Sequence, residues 1–297
     1  MHQISRVLSV APEDLRCDYF GLNHLGWIRS VRVRGEEVID RLLDDPEKLR
    51  SLYPAELFSP DLLAALRLLP TEYVFFYYNQ ESARRNQERN GATRGEELAS
   101  LNGRIWKDLE THVNAGNPEA SLVAYRAYLN RRNASYMRLE GAGESALTGA
   151  EPDWDPFAGA TGYHRIAVQA IRALASTTPE VMILNVPNRG CIEGLAPDDI
   201  VEVPCVVDQN GPRPVAIGPL PDAVRGLVFA VKHSERLTVQ AAAEHRWDKS
   251  LLALTMNPIV GSWEAARSFL VRLAEAQPSD FSDFTGREIL LRENTKT

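Results

Sequence analysis

The residues of this sequence best suited to bind a metal ion or a polar ligand are Asn23 and His24, an adjacent pair inside the apolar run CDYFGLNHLGW at 17–27. Burying an amide and an imidazole in a strand is costly unless both find hydrogen-bonding partners. Neighbouring side chains of a strand face opposite ways, so the pair can share a site only at a strand end, turn or bulge. Glycines 21 and 26 permit such a bend or a close backbone approach. A structural histidine bonded to a backbone carbonyl is the alternative.

Two further candidate residues stand at predicted helix starts. Thr93 and Glu96 have the spacing of a capping box, and Arg94 lies between them. A cation in the first turn opposes the helix dipole, which indicates an external partner for Arg94 such as a carboxylate or a substrate oxygen. Tyr163 follows Gly162 where another helix begins, and there the dipole would stabilise a phenolate acting as a base. A tyrosine wedged at a loop–helix junction is the simpler alternative.

A third polar group follows the predicted buried strand VMILNV at 181–186. The turn PNRG at 187–190 comes next, so Asn185, Asn188 and Arg189 are concentrated at the end of one strand. Strand ends of this kind commonly carry ligand-binding groups.

The elements that position these residues are scattered strands and long helices without regular βαβ alternation, which predicts an α+β fold. The opening strand is expected to pair with 28–33 in a hairpin turning at 25–27. A strand over 201–207 contains Pro204, which favours a sheet edge or a bulge. Helices are predicted over 2–10, 36–43, 60–69, 93–109, 118–130 and 163–174, with three more beyond Pro221, and a long loop over 142–162.

Composition excludes several classes of protein. The 297 residues are 44% hydrophobic and 25% charged, typical of a globular protein with a sizeable core. A net charge of −7 disfavours nucleic-acid and anionic-membrane partners, and no apolar run is long enough to cross a bilayer. Cysteines 17, 191 and 205 lack metal-type spacing and are predicted to be reduced, buried thiols of a cytoplasmic protein.

Several motifs, in sequence order, resemble glycoside hydrolase family 4. They are DYFGLNHLGW (18–27), ATRGE (92–96), GY (162–163), LNVPNRG (184–190), VEVP (201–204) and ERLT (235–238). The GLNHLGW form is most similar to the 6-phospho-β-glucosidase branch. The resemblance implies a fold like the C-terminal domain of lactate and malate dehydrogenases, with an antiparallel sheet and several long helices. It implies one substrate and metal domain over 1–297, without the Gly-rich NAD-binding domain that begins family members.

The chemistry implied by this resemblance is an NAD-dependent exception to two-carboxylate glycoside hydrolysis. Bound NAD oxidises the 3-hydroxyl, a divalent metal such as Mn²⁺ polarises the C2 and C3 oxygens, a tyrosine removes the C2 proton, and the aglycone leaves by elimination. By the same resemblance His24 matches the metal ligand and Tyr163 the base. The implied substrate contacts are Asn23, Arg94, Asn185 and Asn188.

The sequence also departs from the family pattern. The ligand cysteine of the family would fall before Met1, and the arginine that some relatives carry before Asn188 is Pro187 here. We therefore expect this chain alone to be weakly active or inactive. The expected partners are a phosphorylated β-glucoside and further copies of the chain, in a homodimer or tetramer. A non-catalytic sugar-phosphate-binding or degenerate regulatory module is the alternative.

Overall fold

A computed structural model describes residues 2–53, 57–134 and 163–287, so the predicted loop over 142–162 lies outside the described residues. Among the helices described, none is long and apolar enough to cross a membrane. In chain order the elements are α1 (His2–Leu8), β1 (Leu15–Leu22), β2 (Leu25–Val33), β3 (Glu36–Glu37), α2 (Ile39–Leu43), α3 (Pro46–Leu52), α4 (Pro60–Leu66), β4 (Leu69–Pro70), α5 (Phe75–Tyr78), α6 (Gln80–Asn90), α7 (Arg94–Asn114), α8 (Pro118–Ala134), α9 (Tyr163–Leu174), β5 (Glu180–Pro187), β6 (Ile200–Asp208), β7 (Gly211–Pro214), α10 (Asp222–Glu244), α11 (Trp247–Met256) and α12 (Trp263–Ala276).

The strands form one sheet in the order β3-β2-β1-β6-β5, with β4 also paired to β2 and β7 to β6. The pairs β1–β6, β2–β3 and β2–β4 are antiparallel, with Gly21 opposite Glu202 in the first of them. The α+β prediction with an antiparallel sheet and long helices is therefore confirmed. Of the two settings expected for Pro204, the sheet edge is wrong, because β6 lies between β1 and β5, and the bulge stays a prediction.

The helix predicted over 36–43 is wrong in its first half, where the chain forms β3 before α2 begins. Glu37 explains the change, because its carboxylate accepts hydrogen bonds from the Ser30 hydroxyl and from the backbone N–H groups of Val31 (2.9 Å) and Ile39 (3.2 Å). A carboxylate that ties two strand residues to the start of the next helix favours a hairpin over a continuous helix.

Contacts divide the chain into two compact units. The first unit consists of Met1–Tyr19, Trp27–Met182 and Cys205–Arg213, and the second of Phe20–Gly26, Ile183–Pro204 and Pro214–Thr297. In the second unit the helical core is Trp247, Leu251, Ala266, Leu270 and Ala274. Each unit thus joins segments that are distant in sequence. The assignment of 1–297 to a single domain stays a prediction.

The three cysteines are thiols, as expected, but they differ in burial. Cys191 and Cys205 are buried, whereas Cys17 is half-buried, so the prediction of three buried thiols is wrong for Cys17. Cys17 is the third residue of β1, and the Asp18 that follows it is half-buried as well. Desolvation of the thiol still raises the pKa of Cys17.

Asp208 holds the turn between β6 and β7. Its carboxylate accepts two hydrogen bonds from the Arg213 guanidinium (2.9 and 2.5 Å) and one from the Asn210 backbone N–H (2.8 Å). The paired Arg213 and the Asn210 N–H hold the pKa of Asp208 well below its usual range. The ionised form of Asp208 is therefore the one that stabilises this turn.

We expect Asp208→Asn to flatten the acid end of the stability profile. Because the folded pKa is lower than the unfolded value of about 3.9, the contribution is present above pH ~4 and is lost as the pH falls toward the folded pKa. Urea unfolding midpoints between pH 2.5 and 7 should show a lower stability for the variant at pH 7 and a smaller loss on acidification. Arg213→Gln should flatten the profile in the same way. Parallel profiles for all three proteins would contradict this assignment.

Candidate functional site

Asn23 and His24 form the two-residue turn between β1 and β2. β1 ends at Leu22 and β2 begins at Leu25, so the strand end expected for the pair is confirmed and the turn predicted at 25–27 is wrong. Both side chains are exposed, and His24 has a left-handed backbone with φ +63°. Histidine enters this region more readily than most residues. The turn therefore presents an amide and an imidazole side by side to solvent.

Gly21 makes this tight turn possible. A Cβ atom at residue 21 would overlap the carbonyl oxygen of Leu25 and lie 2.5 Å from the Cα of Gly26. Both neighbours are backbone atoms of β2, so no side-chain rotation could relieve the overlap. The close approach predicted at Gly21 is confirmed, and it fixes the position of the Asn23–His24 turn.

The segment after β5 is organised around Asn188, which is fully buried. Its Nδ2 donates to the carbonyls of Ile192 and Leu195, both at 3.0 Å. Its Oδ1 accepts from the Ile192 N–H (2.8 Å) and the Cys191 thiol (3.2 Å). Two donors and two lone pairs are the full capacity of an amide. In this conformation the Asn188 side chain shapes the 188–199 loop and has no hydrogen bond left for a sugar.

The far end of the 188–199 loop is fastened to α10. The Asn188 N–H donates to the Asp199 carbonyl (2.7 Å), and the buried Asp199 carboxylate accepts from Arg236 Nε (2.5 Å). One turn earlier on α10, the buried Lys232 ammonium donates to the Ile200 carbonyl (2.6 Å) and pairs with Glu235. Sequence reasoning missed Lys232 and Asp199, although the motif ERLT at 235–238 marks the helix segment that carries their partners.

Two of the predicted polar groups meet at one end of the sheet, within the second unit. β1 runs antiparallel to β6 with Gly21 opposite Glu202, and β6 lies next to β5. The end of β1, the start of β6 and the end of β5 therefore lie together, on strands spaced about 4.8 Å apart. Asn185 is exposed on β5 near this end. Asn23, His24 and Asn185 therefore lie at the end of the sheet from which the 188–199 loop extends.

Arg94 and Tyr163 belong to the first unit. Arg94 is the first residue of α7 and is half-buried. The predicted capping box before it is confirmed, since the Glu96 N–H donates to Thr93 Oγ1 (3.2 Å) and the Thr93 N–H donates to the Glu96 carboxylate (2.7 Å). These bonds lower the pKa of Glu96. Tyr163 is the first residue of α9, as predicted, and Gly162 lies outside the described residues.

A complete metal site is not formed by the residues that the structure describes. Within these ranges no three His, Cys, Asp or Glu side chains are grouped closely enough to hold an ion. Protein metal sites commonly take three or more such ligands. A three-ligand site at His24 would therefore need at least one ligand from outside the described residues.

The chain is similar to known proteins over most of its length. Residues 19–260 match the profile described as the family 4 glycosyl hydrolase C-terminal domain. A probable 6-phospho-beta-glucosidase of Bacillus subtilis is 25% identical over 95% of the chain, and a maltose-6'-phosphate glucosidase of the same organism is 25% identical over 92%. The chain spans 58% and 57% of these relatives' own lengths.

A solved structure shares the fold. It is the 6-phospho-beta glucosidase of Thermotoga maritima with manganese, NAD+ and glucose-6-phosphate, which matches with a TM-score of 0.66 at 24% identity. The match covers 93% of this chain and 57% of that one.

Proposed function

Because this chain belongs to the family 4 glycosyl hydrolases and corresponds to their C-terminal domain, we propose that it binds the sugar of a 6-phospho-β-glucoside in an NAD- and divalent-metal-dependent hydrolysis. The observation that carries the proposal is the exposed Asn23–His24 turn, which lies at the same end of the sheet as Asn185, with β6 between their strands. An amide and an imidazole placed together suit a sugar hydroxyl and a metal ion.

The proposed reaction requires NAD and a divalent metal in addition to the side chains of this chain. NAD would supply the oxidant for the C3 hydroxyl and the metal a Lewis acid, and we assign His24 as the contribution of this chain to the metal. Tyr163 would take the C2 proton of the sugar before the aglycone is eliminated. Its backbone stands in the first turn of α9, at the positive end of the helix dipole.

The substrate contacts fall to three side chains. Asn23 and Asn185 are exposed and can exchange water for sugar hydroxyls at little cost, and Arg94 is half-buried at the start of α7. Asn188 acts instead as a positioning residue, because its amide is committed to the 188–199 loop. Relatives named as β-glucosidases and relatives named as α-glucosidases both match the chain. The β configuration proposed for the substrate therefore rests on the GLNHLGW form of the motif.

We expect the chain to bind an aryl 6-phospho-β-glucoside more tightly than its α-linked or unphosphorylated counterparts, and Mn²⁺ to strengthen this binding. His24→Ala should remove most of the Mn²⁺ effect, because the imidazole is the only ligand that the proposal assigns to this chain. Isothermal titration calorimetry with and without Mn²⁺ measures both quantities. The exposed His233 on α10 provides the matched control, and His233→Ala should leave the Mn²⁺ effect intact.

Phosphosugar binding that is independent of Mn²⁺ and of His24 would instead favour the non-catalytic sugar-phosphate-binding module. The observation that favours this second candidate function is that the described residues contain no group of three metal ligands. Release of nitrophenol from a nitrophenyl 6-phospho-β-glucoside, with NAD, Mn²⁺ and a reductant present, tests catalysis directly. We expect weak or no turnover by this chain alone, and robust turnover would overturn that expectation.

A further inference from the structure

A half-open cavity of about 200 Å³ lies within the first unit. It forms where the first turn of α1, the first half of β2, the end of α3 and the segment from β4 to Glu72 meet. An apolar cavity of about 150 Å³ is large enough to hold benzene. This cavity therefore has room for one aromatic ring that carries a short substituent.

One wall of the cavity is apolar. Ile4, Leu52 and Leu69 are buried and Ile28 is half-buried. Ile28 and Leu69 are cross-strand partners in the antiparallel pair of β2 and β4, so this part of the wall is fixed by strand pairing. A preformed apolar wall binds a ring without the cost of ordering a loop around it.

Oxygen acceptors lie in the lining beside this wall. The buried Tyr53 hydroxyl donates to the Pro70 carbonyl (2.8 Å), which uses the one proton of the hydroxyl and leaves its oxygen as an acceptor. Burial raises the pKa of Tyr53 well above its usual range, and the Glu72 carboxylate nearby raises it further. Tyr53 is therefore neutral, and the negative charge of this group of acceptors belongs to Glu72.

Glu72 is the one charged residue among the described residues that line the cavity. It is half-buried, and no hydrogen-bond donor or cation from the described ranges reaches its carboxylate. Gln3 and Thr71 add an amide and a hydroxyl, which can donate or accept. An ammonium group has three donors and no acceptor, so it matches the oxygens of Glu72 and Tyr53 in both charge and hydrogen bonding.

We propose that this cavity binds a small primary arylalkylammonium ion. Its ring lies against the wall of Ile4, Ile28 and Leu69, and its ammonium group donates to Glu72 and to the Tyr53 oxygen. The proposal goes beyond the glycosidase assignment and does not depend on it, because none of the residues assigned to the sugar or the metal lines the cavity.

Magnetic resonance titration of the full chain with phenethylammonium, phenethyl alcohol and hydrocinnamate tests the proposal. The three probes share a phenyl ring on a two-carbon arm and differ in the polar group. We expect phenethylammonium to bind with a dissociation constant of about 1 mM or below, about tenfold more tightly than the alcohol. Hydrocinnamate should bind most weakly, because its carboxylate meets that of Glu72. Equal affinities for the ammonium ion and the alcohol would overturn the proposal.

Glu72→Gln keeps the size of the side chain and removes its charge. This variant should lose the tenfold preference for the ammonium ion while binding the alcohol as the wild type does. Glu110→Gln is the matched control, because Glu110 is exposed on α7 and does not line the cavity, and it should keep the preference. A preference kept by Glu72→Gln, or lost equally in both variants, would contradict the assignment of Glu72.

Ile28→Phe tests the apolar wall separately. The larger side chain should occupy part of the cavity and weaken the binding of all three probes, and circular dichroism verifies that the variant is folded. Unchanged binding by the folded variant would place the probes elsewhere and overturn the proposal. If the variant does not fold, the comparison of the three probes on the wild type still decides the matter.

Discussion

Replacing Asn188 by aspartate is expected to destabilise the protein by about 3–5 kcal/mol, because the new oxygen would face the carbonyls of Ile192 and Leu195 at hydrogen-bond distance. Both carbonyls lose a donor, and the site is fully buried. Nearly the same volume is kept, so the loss reports hydrogen bonding and charge and not a cavity.

Urea unfolding followed by circular dichroism measures this loss, and its pH dependence adds a second reading. Burial and the two facing carbonyls should outweigh the Ile192 N–H and Cys191 thiol that still donate to the other oxygen, and so raise the pKa of the new carboxyl. The folded variant then binds a proton that the unfolded chain releases above pH ~4. The deficit relative to wild type should therefore widen as the pH rises from 4 to 7. Asn185→Asp makes the same change at an exposed position of β5 and should stay within about 0.5 kcal/mol of wild type. Equal midpoints for the two variants would contradict the role given to Asn188.

Gly21→Ala is expected to cost about 3 kcal/mol or more and to displace the Asn23–His24 turn. The added methyl group would overlap backbone atoms of Leu25 and Gly26, which can move only if the hairpin opens. The Mn²⁺ effect on phosphosugar binding should fall together with stability, since His24 is carried by the same turn.

Gly226→Ala provides the matched control for this change. Gly226 lies within α10, and a Cβ there would meet no atom within 4 Å. Alanine in a helix interior should be neutral or should stabilise by up to about 1 kcal/mol. Urea midpoints of the two variants measured side by side decide the matter. A Gly21→Ala protein as stable as Gly226→Ala would show that the close backbone approach is absent.

Local sequence signals predicted much of this fold because they act over a few residues. The capping box at Thr93 and Glu96, the strand end before Asn23 and the close approach at Gly21 are all confirmed, and each depends on neighbours within five positions. Helix periodicity likewise located α10, α11 and α12. The turn at 23–24 was misplaced because glycine was expected to form it, whereas histidine takes the left-handed position.

Long-range partners could not be predicted in this way. Asn188 lies in a polar turn after a strand, where ligand-binding residues are common. Only the fold shows that the hydrogen-bonding groups of its amide are all used within the 188–199 loop. The bonds from Lys232 to Ile200 and from Arg236 to Asp199 join residues more than 30 positions apart.

The left-handed backbone at His24 has a consequence for engineering. With φ at +63°, the side chain of His24 lowers the stability of the folded state by roughly 1–2 kcal/mol relative to glycine. A stability-guided redesign would therefore select glycine or asparagine here and remove the imidazole. Thermostabilised versions of this chain should keep His24 unchanged, because stability favours glycine or asparagine at this position whereas the proposed activity requires the imidazole.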